Sequence, residues 1–261
     1  MRGLFTAAGV VIAALLLGAC SDGLNEGSTR QPAAPVSEAP AVTVTPSTGT
    51  TTGAPNPVDT ASPPTLPMPG KPRVVPPFRW QVTAATRKGL GASWHPGCPV
   101  GPSELRAVGL RYWSFDGRVH DGVLVVHKDL VRRMRAVFAT MYQRKFPLRS
   151  VLPVDEFPKA SDDASMAADN TSAFNCRLAV AAGPPTWSRH AYGRAIDVNP
   201  MENPYFFGKR VLPPSGARYR NRSKPVPGMI RKGDPVYAKF IATGFSWGGR
   251  FTNPDYQHFE R

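Results

Sequence analysis

Residues 21–73 are built from Ser, Thr, Pro, Ala and Gly, with almost no large apolar side chain. Such a stretch cannot bury enough apolar surface to offset the entropy lost on ordering it. It reads as a flexible tether, partly extended by its prolines. Folding is thereby confined to the remaining chain, from Val74 to Arg261. That length makes one domain with an adequate core.

Ahead of the tether, Arg2 supplies a positive start and Leu4 to Leu17 form a short apolar run without charge. The run is too short for a membrane span and suits the core of a secretory signal. It ends in Leu17-Gly18-Ala19-Cys20, which resembles a bacterial lipobox. The resemblance implies cleavage before Cys20, a lipid on its thiol, and an extracytoplasmic protein anchored to the cell membrane. The expected organisation is a signal peptide over 1–20, a disordered tether over 21–73, and a folded domain over 74–261.

The net charge is +14, and the four basic and four acidic residues before Val74 cancel, so the excess sits on the domain. An exported basic domain meets anionic polymers of the wall or acidic lipids; nucleic acid is not an expected partner. With Cys20 set aside, Cys98 and Cys176 remain. Two cysteines in an oxidising compartment favour one disulfide.

Leu105–Trp113 and Arg118–Val126 are strand-like and flank Ser114-Phe115-Asp116-Gly117, a hairpin turn signal. Asp129 to Lys145 reads as an amphipathic helix with Leu130, Met134, Val137, Phe138 and Met141 on one face, stopped by Pro147. A strand is expected over Arg149–Phe157, a short helix capped by Ser161 up to Ala168, and an extended stretch from Thr171 to Arg177. Asp197 lies on a β-like run, Arg194–Val198. Asn203 to Lys232 reads as a long loop with five prolines, eight Lys/Arg and no acid. Asp234 is expected to cap a helix with Pro235 first and Gly244 at its end. Tyr256–Glu260 closes the chain as a strand. The order is α+β: a small, mostly antiparallel sheet with flanking helices.

Two fragments carry the chemistry. Trp187 to Asp197 contains His190, Gly193 and Asp197, and Asp255-Tyr256-Gln257-His258 lies near the C-terminus. Together they hold two imidazoles and a carboxylate for one ion, and a spare carboxylate beside it. That is the inventory of a catalytic zinc site with an open position for water. Asp255 is the expected base, taking a proton from water as it attacks a carbonyl. Asp255 and His258 are three apart, so a turn or bulge is needed for them to converge. Glu260 is a candidate acceptor for a ligand histidine. His95, His120 and His127 read as structural.

The pattern Ser-x-His-x-x-Gly-x-Ala-x-Asp, then Trp-Gly-Gly and Asp-x-x-His-Phe-Glu, resembles the D-alanyl-D-alanine carboxypeptidase family, from about Arg111 to Arg261. That group includes wall L-alanyl-D-glutamate endopeptidases, and its wider fold group includes the hedgehog signalling domain. The resemblance implies a hedgehog/DD-peptidase-like fold and Zn2+ held by His190, Asp197 and His258. It implies Asp255 as base, with Asp rather than Glu leaning toward the endopeptidase branch. It also implies Arg177 facing the substrate, to stabilise an oxyanion or grip a carboxylate. Ser188 is a candidate substrate or ligand-orienting contact, and Trp247 a candidate cleft wall. The activity implied is hydrolysis of an amide in peptidoglycan stem peptides, either L-Ala–D-Glu or D-Ala–D-Ala. The alternative is a wall-binding module on the same fold, against which Asp255 argues, since a binder has no use for a base.

Overall fold

A computed structural model describes residues 74–180 and 184–261. The signal segment, Cys20 and the tether lie outside the described residues. No helix among those described is long and apolar enough to cross a membrane.

The first layer is an antiparallel meander of β1 (Trp80–Ala84), β2 (Leu105–Trp113) and β3 (Val119–His127). Leu105 pairs with His127 and Trp113 with Val119, and Ser114 N–H closes the expected turn on Arg118 O at 2.8 Å. Between β1 and β2 the chain makes α1 (Arg87–Leu90) and carries Cys98. The next helix, α2 (Val131–Gln143), buries Met134, Val137, Phe138 and Met141, the face read from the sequence. Pro147 is not what ends it. Lys145 adopts a left-handed conformation at φ 51°, and Phe146 N–H returns to Met141 O, so the helix stops earlier.

The strand expected over Arg149–Phe157 is only β4 (Ser150–Val151). Pro153 then leads into a single 3-10 turn, because proline has no N–H for a ladder. Ser161 caps α3 (Asp162–Ala167), accepting from Ala164 N–H at 3.2 Å. β5 (Asn170–Thr171) runs parallel to β4, and β6 (Ala195–Asp197) comes next.

The long basic loop is more structured than expected. It contains a hairpin of β7 (Tyr205–Phe207) and β8 (Arg210–Leu212), then a 3-10 turn over Pro214–Tyr219. Three-residue strands leave no readable period. Arg222 closes the loop from within, donating to Glu202 O, Asn203 Oδ1 and Ile230 O at 2.6–3.0 Å. Asp234 stands at the N-cap of α4 (Pro235–Ala242) with Pro235 first, as expected, but its carboxylate makes no capping bond and turns back to accept from Arg231 N–H at 2.9 Å.

The chain ends in β9 (Ser246–Trp247) and β10 (His258–Glu260), ordered β6-β10-β9. The class is α+β, but the single small sheet expected is four small sheets among the described residues, one of them parallel. The core lies between the meander, α2, α4 and this last sheet, with Phe138, Phe240, Ile196 and Phe259 fully buried. A second, smaller cluster joins Leu90, Leu105 and Phe174 to Cys176. Cys98 and Cys176 are disulfide-bonded.

Candidate active site

Asp197 and His258 are directly opposite each other on the antiparallel strands β6 and β10. Side chains at such positions point to the same face. Register alone therefore brings Asp197 Oδ1 within 3.0 Å of His258 Nδ1. His190 arrives from a 3-10 turn, Arg189–Tyr192, started by Ser188, whose Oγ accepts from His190 N–H at 3.2 Å. Gly193 ends that turn at φ 64°, and a Cβ there would lie 2.7 Å from His127 N and 2.8 Å from Leu105 Cδ2. Only glycine both adopts that backbone and lets the turn press on β3. His190 Nε2 then sits 3.2 Å from Asp197 Oδ2 and 3.2 Å from His258 Nδ1.

This donor set fits a small divalent ion. Two ligands about 2.0–2.1 Å from a tetrahedral centre lie about 3.3 Å apart. The two facing imidazole nitrogens are 3.2 Å apart, and all three side chains are buried. Each ring also has an outer partner, as metal-binding imidazoles do. His190 Nδ1 donates to Ala173 O, and His258 Nε2 to Glu260 Oε2 at 3.2 Å.

Burial disfavours charge on Asp197, yet the two imidazoles outweigh it and hold the carboxyl well below the usual range. Burial would likewise lower His258, but hydrogen bonds to Asp197 and Glu260 raise it to about 10. An ion entering the site must expel that proton.

Asp255 stands beside this group, and its position rests on a bare stretch of backbone. Its N–H bonds Gly248 O at 3.0 Å, and His258 N–H bonds Asp255 O at 3.3 Å, the turn that convergence requires. A Cβ on Gly248 would lie 2.6 Å from Asp255 O and 3.1 Å from the Cβ atoms of Asp255 and His258. Asp255 is half-buried, and its Oδ1 is shielded from solvent with no hydrogen-bond partner. Burial pushes its carboxyl up to about 7, against the pull of His258.

These residues line one cleft of about 370 Å³. Arg177 lines it too, and its guanidinium is held by Asp162 at 2.8 Å. Cys176 adjoins it, and its disulfide tethers that stretch to the segment carrying Cys98. Ser188 is at the cleft, but its oxygen is engaged by the His190 backbone, so it shapes the turn.

Trp247 is not the cleft wall it was expected to be. It pairs with Phe259 across β9 and β10, so it shares the core face of Phe259, opposite to His258. It is buried against Tyr237, Tyr256 and Phe259, with its indole N–H on Tyr256 O at 2.9 Å. Phe251, just beyond Gly248 and Gly249, lines the cleft instead, 6.2 Å from the His258 ring, together with Trp187 and Tyr205.

Other lining residues were not singled out from the sequence as site residues, among them Asp162, Gln257, Tyr205 and Leu212. Asp162 had appeared only as the second residue of a capped helix. His127 bonds Asp129 N–H and Arg194, and His120 stacks on Tyr112 beside Asp116, the structural roles expected. His95 sits 3.5 Å from Cys176 Sγ at the disulfide.

Residues 182–261 match the family model for D-alanyl-D-alanine carboxypeptidase. The match takes in His190, Asp197, Asp255 and His258 and is narrower than the 111–261 expected; Arg177 and Asp162 fall outside it. No curated protein and no solved structure matches the chain. That match supports a peptidase.

Proposed function

We propose that this protein is a zinc-dependent peptidase acting on peptidoglycan stem peptides, on a hedgehog/DD-peptidase-type fold. The bond is an amide next to a D-residue, either L-Ala–D-Glu or the terminal D-Ala–D-Ala. Cys20 would carry the lipid anchor and residues 21–73 would give the domain reach through the wall. The observation that carries the reading is Asp255: a spare, shielded carboxylate with an unpartnered oxygen, next to three converging donor atoms.

His190, Asp197 and His258 would hold the ion. Zinc in such a set acts as a Lewis acid, lowering the pKa of water to about 7 and polarising the scissile carbonyl. The protein's own groups do the rest. Ala173 O and Glu260 fix the outward ring nitrogens, so each imidazole presents its other nitrogen inward. Asp255 accepts the proton as water adds to the carbonyl carbon. It returns that proton to the amine as the C–N bond breaks. Arg177 supplies a positive fork at the cleft for the developing oxyanion or a substrate carboxylate. The exposed side chains of Val180 and Phe251 give the rim an apolar component.

The test uses the purified mature chain and muropeptides of defined sequence, with products read by mass spectrometry. Release of a new amine that chelator abolishes and zinc restores, and that Asp255→Ala lacks, is the expected result. Intact muropeptides in every condition would overturn the reading, and the product masses choose between the two bonds.

A further inference from the structure

We propose that the segment from Lys209 to Lys232 is a docking surface for a linear polyanion bearing phosphodiester groups, a wall polymer rather than a lipid surface. The segment contains eight Lys/Arg and no acid. Arg222 is spent inside the fold, and Arg231 lies 3.6 Å from Asp234. The remaining six, Lys209, Arg210, Arg218, Arg220, Lys224 and Lys232, are exposed. None of them forms an ion pair among the described residues, where every acid-pairing cation is elsewhere. A run of like charge with no counter-charge repels itself and raises the local potential, which a multivalent anion relieves.

Placement argues for a polymer. Lys209 sits in the turn of the β7–β8 hairpin and Arg210 begins β8. The Arg220 guanidinium lies over Phe206 of the same hairpin at 5.1 Å, and Arg218 over Tyr219 at 5.0 Å. Stacking holds these planes; Arg218 gives one N–H to Met201 Sδ, and the N–H groups left on both guanidinium forks match phosphate oxygens in a two-pronged way. Charges spread along a hairpin and the adjoining turn suit a chain of repeating anions better than one small ion.

The hairpin is also fastened to the cleft. Phe206 N–H bonds Pro254 O at 2.8 Å, Gly208 N–H bonds Asn253 Oδ1 at 3.1 Å, and Tyr205 bridges Asp255. Tyr205 and Leu212 line the cleft itself, whereas none of the six cations does. The cations therefore hold a polymer next to the cleft and take no part in the chemistry.

The test measures binding of the full mature chain, treated with chelator, to soluble poly(glycerol phosphate). Chelation makes the result independent of any peptidase activity. Engagement of about four cations predicts an affinity loss on the order of fiftyfold between 50 and 200 mM salt. The variant Lys209→Ser/Arg210→Ser/Arg218→Ser/Arg220→Ser, all at exposed positions, should lose tenfold or more in affinity, with a shallower salt slope and an unchanged circular dichroism spectrum. Vesicles containing phosphatidylglycerol form the second arm. Wild-type affinity in the variant, or capture by vesicles without binding to the soluble polymer, would overturn the proposal.

Discussion

Among the described residues lie two groups of three donor-bearing side chains, His95/Cys98/Cys176 and His190/Asp197/His258, each with its donor atoms within 4.8 Å of one another. Proximity does not distinguish them; free lone pairs do. In the first group the sulfurs are bonded to each other and His95 Nδ1 faces Pro96 O. In the second, each imidazole spends one nitrogen on a protein acceptor and turns the other toward a carboxylate and its twin. The first group is closed and the second is open.

The largest expected effect breaks the open group. His258→Ala should abolish amide hydrolysis, by about a thousandfold or more, and remove the bound metal. Metal content by elemental analysis and the rate on one muropeptide check it. Loss of metal in Cys98→Ser instead would reverse the comparison.

Next comes Asp255→Asn, which should keep the metal but lower kcat by about 10²–10⁴-fold, with little change in KM. Unchanged kcat would remove Asp255 from the mechanism.

The closed group should show itself in stability. Cys98 and Cys176 enclose a separation of 78 residues. Opening such a loop costs about 2–5 kcal/mol. Denaturant unfolding of Cys98→Ser should show that loss while the folded fraction still binds metal.

The smallest effect involves neither group. Asp169 and Glu202 are both buried, each with an oxygen lacking a partner, and burial together with Glu202 pushes Asp169 up to about 8. The folded state thus holds a proton that the unfolded chain releases near pH 4. This contribution to stability is present below about pH 4 and is lost as pH rises toward 8. Asp169→Asn suits the residue's left-handed backbone (φ 57°) and should flatten the decline in melting temperature between pH 5 and 8 relative to wild type. Parallel curves for the two proteins would show that the pair does not share a proton.

Much of this was legible because it rests on local rules. The turn Ser114–Gly117 and the apolar face of α2 come from residue type and period. His190, Asp197, Asp255 and His258 were readable as a spaced pattern, since register and one turn suffice to join them. What was not legible depends on partners far away in sequence. Trp247 looked like a cleft aromatic, but its facing depends on pairing with Phe259. Asp162 gained its meaning only where Arg177 reached it. The β7–β8 hairpin is too short for periodicity, and Arg222 was one cation among eight until its three acceptors were in place.

Gly248 has a consequence for how such a domain can diversify. The peptide beneath Asp255 admits no side chain, so mutation has almost no neutral step to take there. Novelty in what the cleft selects must then accumulate at its outer margin, at Val180, Leu212 and Phe251, while the spacing between base and imidazole stays frozen.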